Sequence, residues 1–171
     1  MVKLRTRSIS RETIFILFFI FFIGLLYRIV NLGTNLPGLY NDELYFLLSA
    51  YSQVHNIGYL TVSNQAFLGI VYNIMNLYIP SILLFHANPF SARFPIAIYG
   101  SLMVIPIYLL GRELSGNKKI ALLSSFFWII SPSAVVTSRV GYGVEIFPLF
   151  IFLFAIIGTY QPKIDNAHLF S

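Results

Sequence analysis

Two adjacent carboxylates, Asp42 and Glu43, stand in the stretch LYNDELYF, just after the first long apolar run of the chain. The next charged residue is Arg93. A third acid, Glu145, follows Arg139 in the stretch SRVGYGVE. These residue types can carry group transfer. A carboxylate can act as general base on an acceptor hydroxyl or amine. The arginine, or a divalent ion such as Mg or Mn held by Asp42 and Glu145, can neutralise a leaving phosphate. A plainer role also fits the same residues. Asn41 or Asp42 ahead of ELYFLLSAYSQV makes a good helix N-cap. The two roles are compatible, because a cap holds a side chain at a fixed place. His55 and His86 are isolated, with no ligand spacing between them, which argues against a dedicated zinc site. The chain has no cysteine, so disulfides and thiolate metal sites are excluded.

The acids and the arginine can cooperate only if the surrounding elements bring them to one place. The composition says what those elements are. The 171 residues are 57% hydrophobic and 10% charged, with mean hydropathy +0.79. A soluble domain carries roughly 25% charged residues. So little polar surface cannot cover a globular core, which makes the bilayer the solvent. The net charge of +5 does not point to nucleic acid. The basic residues sit in short clusters between apolar runs, where topology signals belong. The N-terminal MVKLRTRSISRE precedes an apolar run too long for a signal peptide's core, and no Ala-x-Ala cleavage site follows. An uncleaved signal anchor is expected.

Five segments are apolar for long enough to be candidates: 13–30, 66–85, 94–111, 120–138 and 146–160. Arg28 interrupts the first and is expected to snorkel to the interface. Charge decides among them. With the N-terminal cluster (Lys3, Arg5, Arg7, Arg11) in the cytoplasm, five spans would divide the basic residues almost evenly between the two sides. If 66–85 does not span, Arg112, Lys118, Lys119 and Lys163 join the inside. Only Arg28, Arg93 and Arg139 stay outside, the asymmetry that membrane proteins show. Segment 66–85 also carries Asn73 and Asn76 on one helical stripe, and Pro80 is expected to break or kink its end. It reads as an amphipathic or re-entrant element at the outer surface.

The expected fold is therefore all-α and integral to the membrane, a single domain over 1–171. It has about four transmembrane helices with both termini inside. A long first external loop, 31–93, carries juxtamembrane helices. A short internal loop, GRELSGNKK, and a short external one, SRVGYGVE, complete it. Asp42, Glu43, Glu145 and Arg139 then all lie on the external face. Of the other acids, Glu12 suits the helix dipole at the start of the first span, Glu113 is a solvated partner for the internal-loop cations, and Asp165 is in the polar tail. Tyr40, Tyr45, Tyr51 and Tyr59 read as an interfacial aromatic belt. A transporter fragment would need ionisable residues near the bilayer midplane, and none is placed there.

The order of these features resembles the N-terminal part of the GT-C-fold membrane glycosyltransferases. That group takes its sugar from a polyprenyl-phosphate carrier, and includes the protein O-mannosyltransferases, the lipid A aminoarabinose transferase and RgtA-like transferases. LYNDELYFLLSAYSQVHNIGYL is similar to the Asp-Glu motif and juxtamembrane helix of their first external loop. NPFSARFPIAIYGSLMVIPIYLLGRELSGNKK, followed by IALLSSFFWIISPSAVVTSR, is similar to the next two spans and the Ser-Arg motif after them. The resemblance implies a plasma-membrane enzyme with an external active face. Its donor is a polyprenyl-phosphate sugar and its acceptor an external protein, lipid or glycan. Asp42 matches the acid that takes or orients the acceptor proton, and Glu43 is its companion. Arg139, Glu145 and Arg93 match the donor-phosphate side of the site. Where many members carry His- or Lys-Pro-Pro, this chain has SNQAFLGIVY. Members have many more spans, so the resemblance implies an incomplete N-terminal portion or a partner chain that supplies the missing helices. The alternative is a non-catalytic remnant or accessory membrane subunit.

Overall fold

The computed structural model describes residues 9–34, 38–56, 77–140 and Leu153. Among them the secondary structure is helical throughout. Helix α1 (Arg11–Ile29) starts at Ser10, whose hydroxyl meets the Thr13 hydroxyl at 2.8 Å, with Glu12 in the first turn. Thr13, Leu17, Ile20, Gly24 and Arg28 form its buried stripe, stepping by three or four residues. Ile14, Phe15, Phe18, Phe19, Phe22 and Ile23 point outward, an apolar face that only lipid or further helices could cover.

After a turn, α2 (Asn41–Val54) follows, then α3 (Ile79–Phe85), α4 (Pro89–Leu102) and α5 (Val104–Ser115). Of segment 66–85, only its end is described. Pro80 does not break a helix there. It sits in the first turn of α3, where its missing N–H costs nothing and its φ is already helical. Helices α4 and α5 form one 27-residue unit, Pro89–Ser115, with an irregularity at Met103. It starts five residues before the expected 94. Asn88 caps it and accepts from the Ser91 amide at 2.9 Å, and Pro89 opens the first turn. Pro95, inside α4, cannot donate to the Ser91 carbonyl. The hydroxyl of Ser81, on α3, takes that acceptor at 2.8 Å and so ties α3 to the start of α4.

The turn to α6 (Lys118–Ile130) is tight. Gly116 takes the left-handed conformation (φ 65°) that ends α5, and the Asn117 side chain caps α6 by accepting from the Lys119 amide at 2.8 Å. Ser131 and Pro132 break the run, and α7 (Pro132–Thr137) continues it. The close packing of α5 on α6 uses small residues. A Cβ on Gly111 would lie 3.2 Å from the Ala121 Cα.

The contacts at the two ends give the relative directions of the helices. Lys118 at the start of α6 reaches Ser10 (3.2 Å) and Glu12 (3.6 Å) at the start of α1. It is thus Glu12, not Glu113, that pairs with an internal-loop lysine. At the other end, Arg139 after α7 reaches Tyr27 and Val30 at the end of α1. So α6 and α7 together run the length of α1 in the same direction, and α4–α5 runs back between them. Leu32, just after α1, and Arg93, near the start of α4, meet at one end of this bundle; most of segment 66–85 lies outside the described residues. Helices α1 and α4–α5 are long and apolar enough to cross a membrane. At 1.5 Å per residue, α1 is about 28 Å long, close to the hydrocarbon core of about 30 Å. The fourth expected span, 146–160, lies outside the described residues except for Leu153, which packs on the cluster described next.

That cluster is formed by Phe46, Leu47 and Ala50 from α2, Tyr78 and Ile82 around α3, and Ala92, Ile96 and Met103 around α4. It fastens α2 and α3 to the top of α4. Tyr45 and Tyr51 pack against it, so this part of the expected aromatic belt is partly core; Tyr40 remains half exposed.

Candidate functional site

Helix α2 begins where the α1–α2 connection is held down. Tyr40, rather than Asn41 or Asp42, stands at the N-cap, and Glu43 reaches back to accept from the Tyr40 amide at 2.9 Å. This is the acidic half of a capping box. Arg93, one turn into α4, completes the arrangement. Its Nε donates to Glu43 Oε1 at 2.9 Å and its Nη2 to Oε2 at 3.0 Å. Nη1 donates to the Leu32 carbonyl at 3.1 Å, and Nη2 also to the Gly38 carbonyl at 2.7 Å. Four of the five guanidinium N–H groups are thus directed at described acceptors. Both side chains of the pair are fully buried. The forked geometry suits arginine and would not be reproduced by lysine.

Burial sets the energetics. A desolvated pair contributes little net stability. Removing one partner costs roughly 3–5 kcal/mol, because it strands the other charge. Glu43 and Arg93 therefore act together as a clamp on the connection and on the first turn of α2. Asp42 is the residue beside Glu43 in that turn, and its backbone is fixed with it. Tyr78 lies against the same place, stacked on Phe46 with ring centroids 5.9 Å apart. Burial, and then the charge of Glu43, push its phenol well above the ordinary tyrosine range, so it stays neutral.

A second polar cluster surrounds the last turn of α1. Arg28 does not snorkel. It is fully buried, with Nε donating to Ser138 Oγ at 2.6 Å and Nη1 to the Gly24 carbonyl at 3.1 Å. Its Nη2 has no hydrogen-bond partner among the described residues. The side chain lies beside Gly100 of α4, which has no Cβ. One there would overlap Ser138 and lie 3.4 Å from Arg28 Nε. Arg139, half buried, donates in the opposite direction, from Nη1 to Tyr27 O at 3.2 Å and from Nη2 to Val30 O at 2.9 Å. It thereby satisfies carbonyls that the end of α1 leaves open. Two of its N–H groups are used on described acceptors, leaving donors for an anion.

The two clusters meet on one short piece of chain. Arg139 holds Val30 and Arg93 holds Leu32, two residues apart. The expected residues Asp42, Glu43, Arg93 and Arg139 thus gather at one end of the bundle. Glu145 and the Asp42 side chain lie outside the described residues, so the expected metal pair cannot be placed. Among the described residues no three His, Asp or Glu side chains come together, and both Glu43 oxygens are occupied by Arg93. Sequence reasoning missed the inward turn of Arg28 and its link to Ser138. The signal was present: Arg28 continues the stripe Thr13, Leu17, Ile20, Gly24, which faces the neighbouring helices.

Among the described residues the elements are helices, two of them long and apolar enough to cross a membrane, and the arginines and acids named above collect where those helices end. The family model "dolichyl-phosphate-mannose-protein mannosyltransferase" matches residues 16–161, and the chain belongs to that family. No curated protein and no solved structure matches it.

Proposed function

We propose that this chain forms the catalytic first external loop, and the helices that carry it, of a polyprenyl-phosphate-mannose-dependent transferase. The observation that carries the reading is the Glu43–Arg93 clamp, which holds the start of α2, where Asp42 stands, and grips Leu32 two residues from the Val30 carbonyl that Arg139 binds. In the proposed reaction an acceptor hydroxyl attacks the anomeric carbon of the donor. The bond from that carbon to the phosphate oxygen breaks, and the new glycosidic bond forms. Asp42 takes the acceptor proton. The phosphate leaves with the bonding electron pair, and its charge develops against Arg139. Glu43 and Arg93 position Asp42 without touching substrate. This assigns Arg93 to the fold, although the resemblance set it beside the phosphate.

An apolar groove of about 580 Å³ supports the lipid side of this reading. It is lined by Ile107, Phe127, Trp128, Ile130, Ser131 and Pro132. It reaches the start of α7, and Arg139 lies just beyond the end of that helix, about 10 Å away by helical rise. A polyprenyl chain in the groove would place its phosphate near Arg139. The reading also sets the face: the N-terminus and the α5–α6 turn in the cytoplasm, and both clusters outside at the plasma membrane, in accord with the positive-inside rule. Glu145, in the same external loop as Arg139, stands on the donor side.

The test is Asp42→Asn in the full chain in proteoliposomes, with polyprenyl-phosphate mannose as donor and a serine- or threonine-containing peptide as acceptor. The expected loss in kcat is about 10²–10⁴-fold, with the affinity for polyprenyl phosphate retained. Transfer at near wild-type rate would refute Asp42 as the base, and no transfer by the wild-type chain would leave the accessory, non-catalytic role.

A further inference from the structure

The Arg28–Ser138 contact joins residues 110 positions apart, yet neither side chain is part of the transfer chemistry proposed above. Its place suggests its use. Ser138 precedes Arg139, and Arg28 follows Tyr27, whose carbonyl is one of the two that accept from Arg139. The two arginines therefore form a reciprocal latch. Arg28 reaches from α1 to the end of α7, and Arg139 reaches from the end of α7 back to α1. Gly100 supplies the space on the α4 side. Ser138 can serve because its own hydroxyl proton goes to the Ala134 carbonyl, which leaves its oxygen free to accept from Arg28. A buried guanidinium with one nitrogen unpartnered among the described residues is an expensive way to join two helices. A leucine would pack there at lower cost, but it would not fix the direction of the residue that follows.

We infer that Arg28 is a positioning residue for Arg139: through Ser138 it sets where the Arg139 guanidinium meets the phosphate of the donor. The inference rests on the donor reading above. It concerns the anion end of the donor only, so loosening the latch should weaken donor binding and slow the departure of the phosphate, and leave acceptor binding alone.

The experiment titrates polyprenyl phosphate against the full chain in lipid nanodiscs, for wild type, Arg28→Gln, Ser138→Ala, Arg139→Gln and the double variant Arg28→Gln/Arg139→Gln. The donor KM and kcat are measured in parallel. Arg139→Gln and Arg28→Gln should each weaken binding about tenfold, the scale of one charged hydrogen bond. Ser138→Ala should follow in the same direction with a smaller change. The double variant should bind no more weakly than Arg139→Gln alone, because Arg28 acts through Arg139. The donor KM should rise and kcat should fall with it, for Arg28→Gln as for Arg139→Gln, while the acceptor KM holds. If Arg28→Gln fails to fold, Arg28→Lys and Ser138→Ala carry the same test, since lysine keeps the charge and loses the directed Nε contact. Losses that add in the double variant, or a fall in kcat with unchanged donor affinity, would overturn the inference. If Arg139→Gln itself leaves polyprenyl phosphate affinity unchanged, the donor reading fails instead.

Discussion

The two buried arginines at this end of the bundle have opposite surroundings. Arg93 faces a carboxylate in a forked pair and adds two loop carbonyls. Arg28 has one hydroxyl and one carbonyl, with a nitrogen left over. Arg93 is neutralised inside the protein and is committed to the fold. The Arg28 region, with the half-buried Arg139 beside it, carries excess positive charge that no described carboxylate offsets. A neutralised clamp and a cationic surface thus lie two residues apart along the chain. The difference teaches that a buried arginine is informative through its partners, not through its burial.

The sharpest way to break that contrast is to strand one member of each region. Arg93→Met should cost about 3–5 kcal/mol of stability, because it leaves the Glu43 charge buried and alone. Thermal unfolding in detergent measures it, and pairing it with Glu43→Leu should recover much of the loss. Next in size is Gly100→Ala. The added methyl would overlap Ser138, so it should cost about 1–3 kcal/mol and also weaken polyprenyl phosphate binding, as loosening the latch does. Gly33→Ala is the control, since its Cβ would meet Phe90 Cβ at an ordinary 3.4 Å. Ser81→Ala should cost about 1 kcal/mol, by leaving the Ser91 carbonyl that Pro95 freed without its donor. The smallest effect concerns pH. The Tyr78 phenol is held neutral above its ordinary pKa, so its stabilisation is complete below pH about 10 and is lost as pH rises past that value. The unfolding midpoint should fall in that range for wild type and fall less for Tyr78→Phe.

Much of the bundle was legible in the sequence. The run 13–30 is α1, and 94–111 lies inside α4–α5. Both are long apolar segments, whose solvent is decided by composition. Charge alone gave the expectation that 66–85 does not span, because lysine and arginine are distributed by the membrane rather than by local packing; that segment lies mostly outside the described residues. The spans' exact limits depended on caps. Asn88-Pro89 extended one helix, and Pro80 began a short helix where a break was expected, since proline in a first turn loses no hydrogen bond. The candidate site was legible in its members but not in their pairing. Glu43 and Arg93 are 50 residues apart, and nothing local marks one as the other's partner. Arg28 was misread because a basic residue one turn from a helix end can snorkel. The partner that receives it inside, Ser138, is 110 residues away and packs where Gly100 leaves room.

Everything proposed depends on the two clusters sharing one membrane face. The absence of cysteine makes that measurable with single introduced thiols. Asn41→Cys, Ser133→Cys and Ser115→Cys stand at exposed positions beside the clamp, on α7 and at the end of α5. A membrane-impermeant maleimide applied to intact cells should label Asn41→Cys and Ser133→Cys, and should reach Ser115→Cys only after permeabilisation. Labelling that puts Asn41→Cys and Ser133→Cys on opposite faces, or Ser115→Cys with Ser133→Cys, would separate the acids from Arg139 and contradict the proposed site.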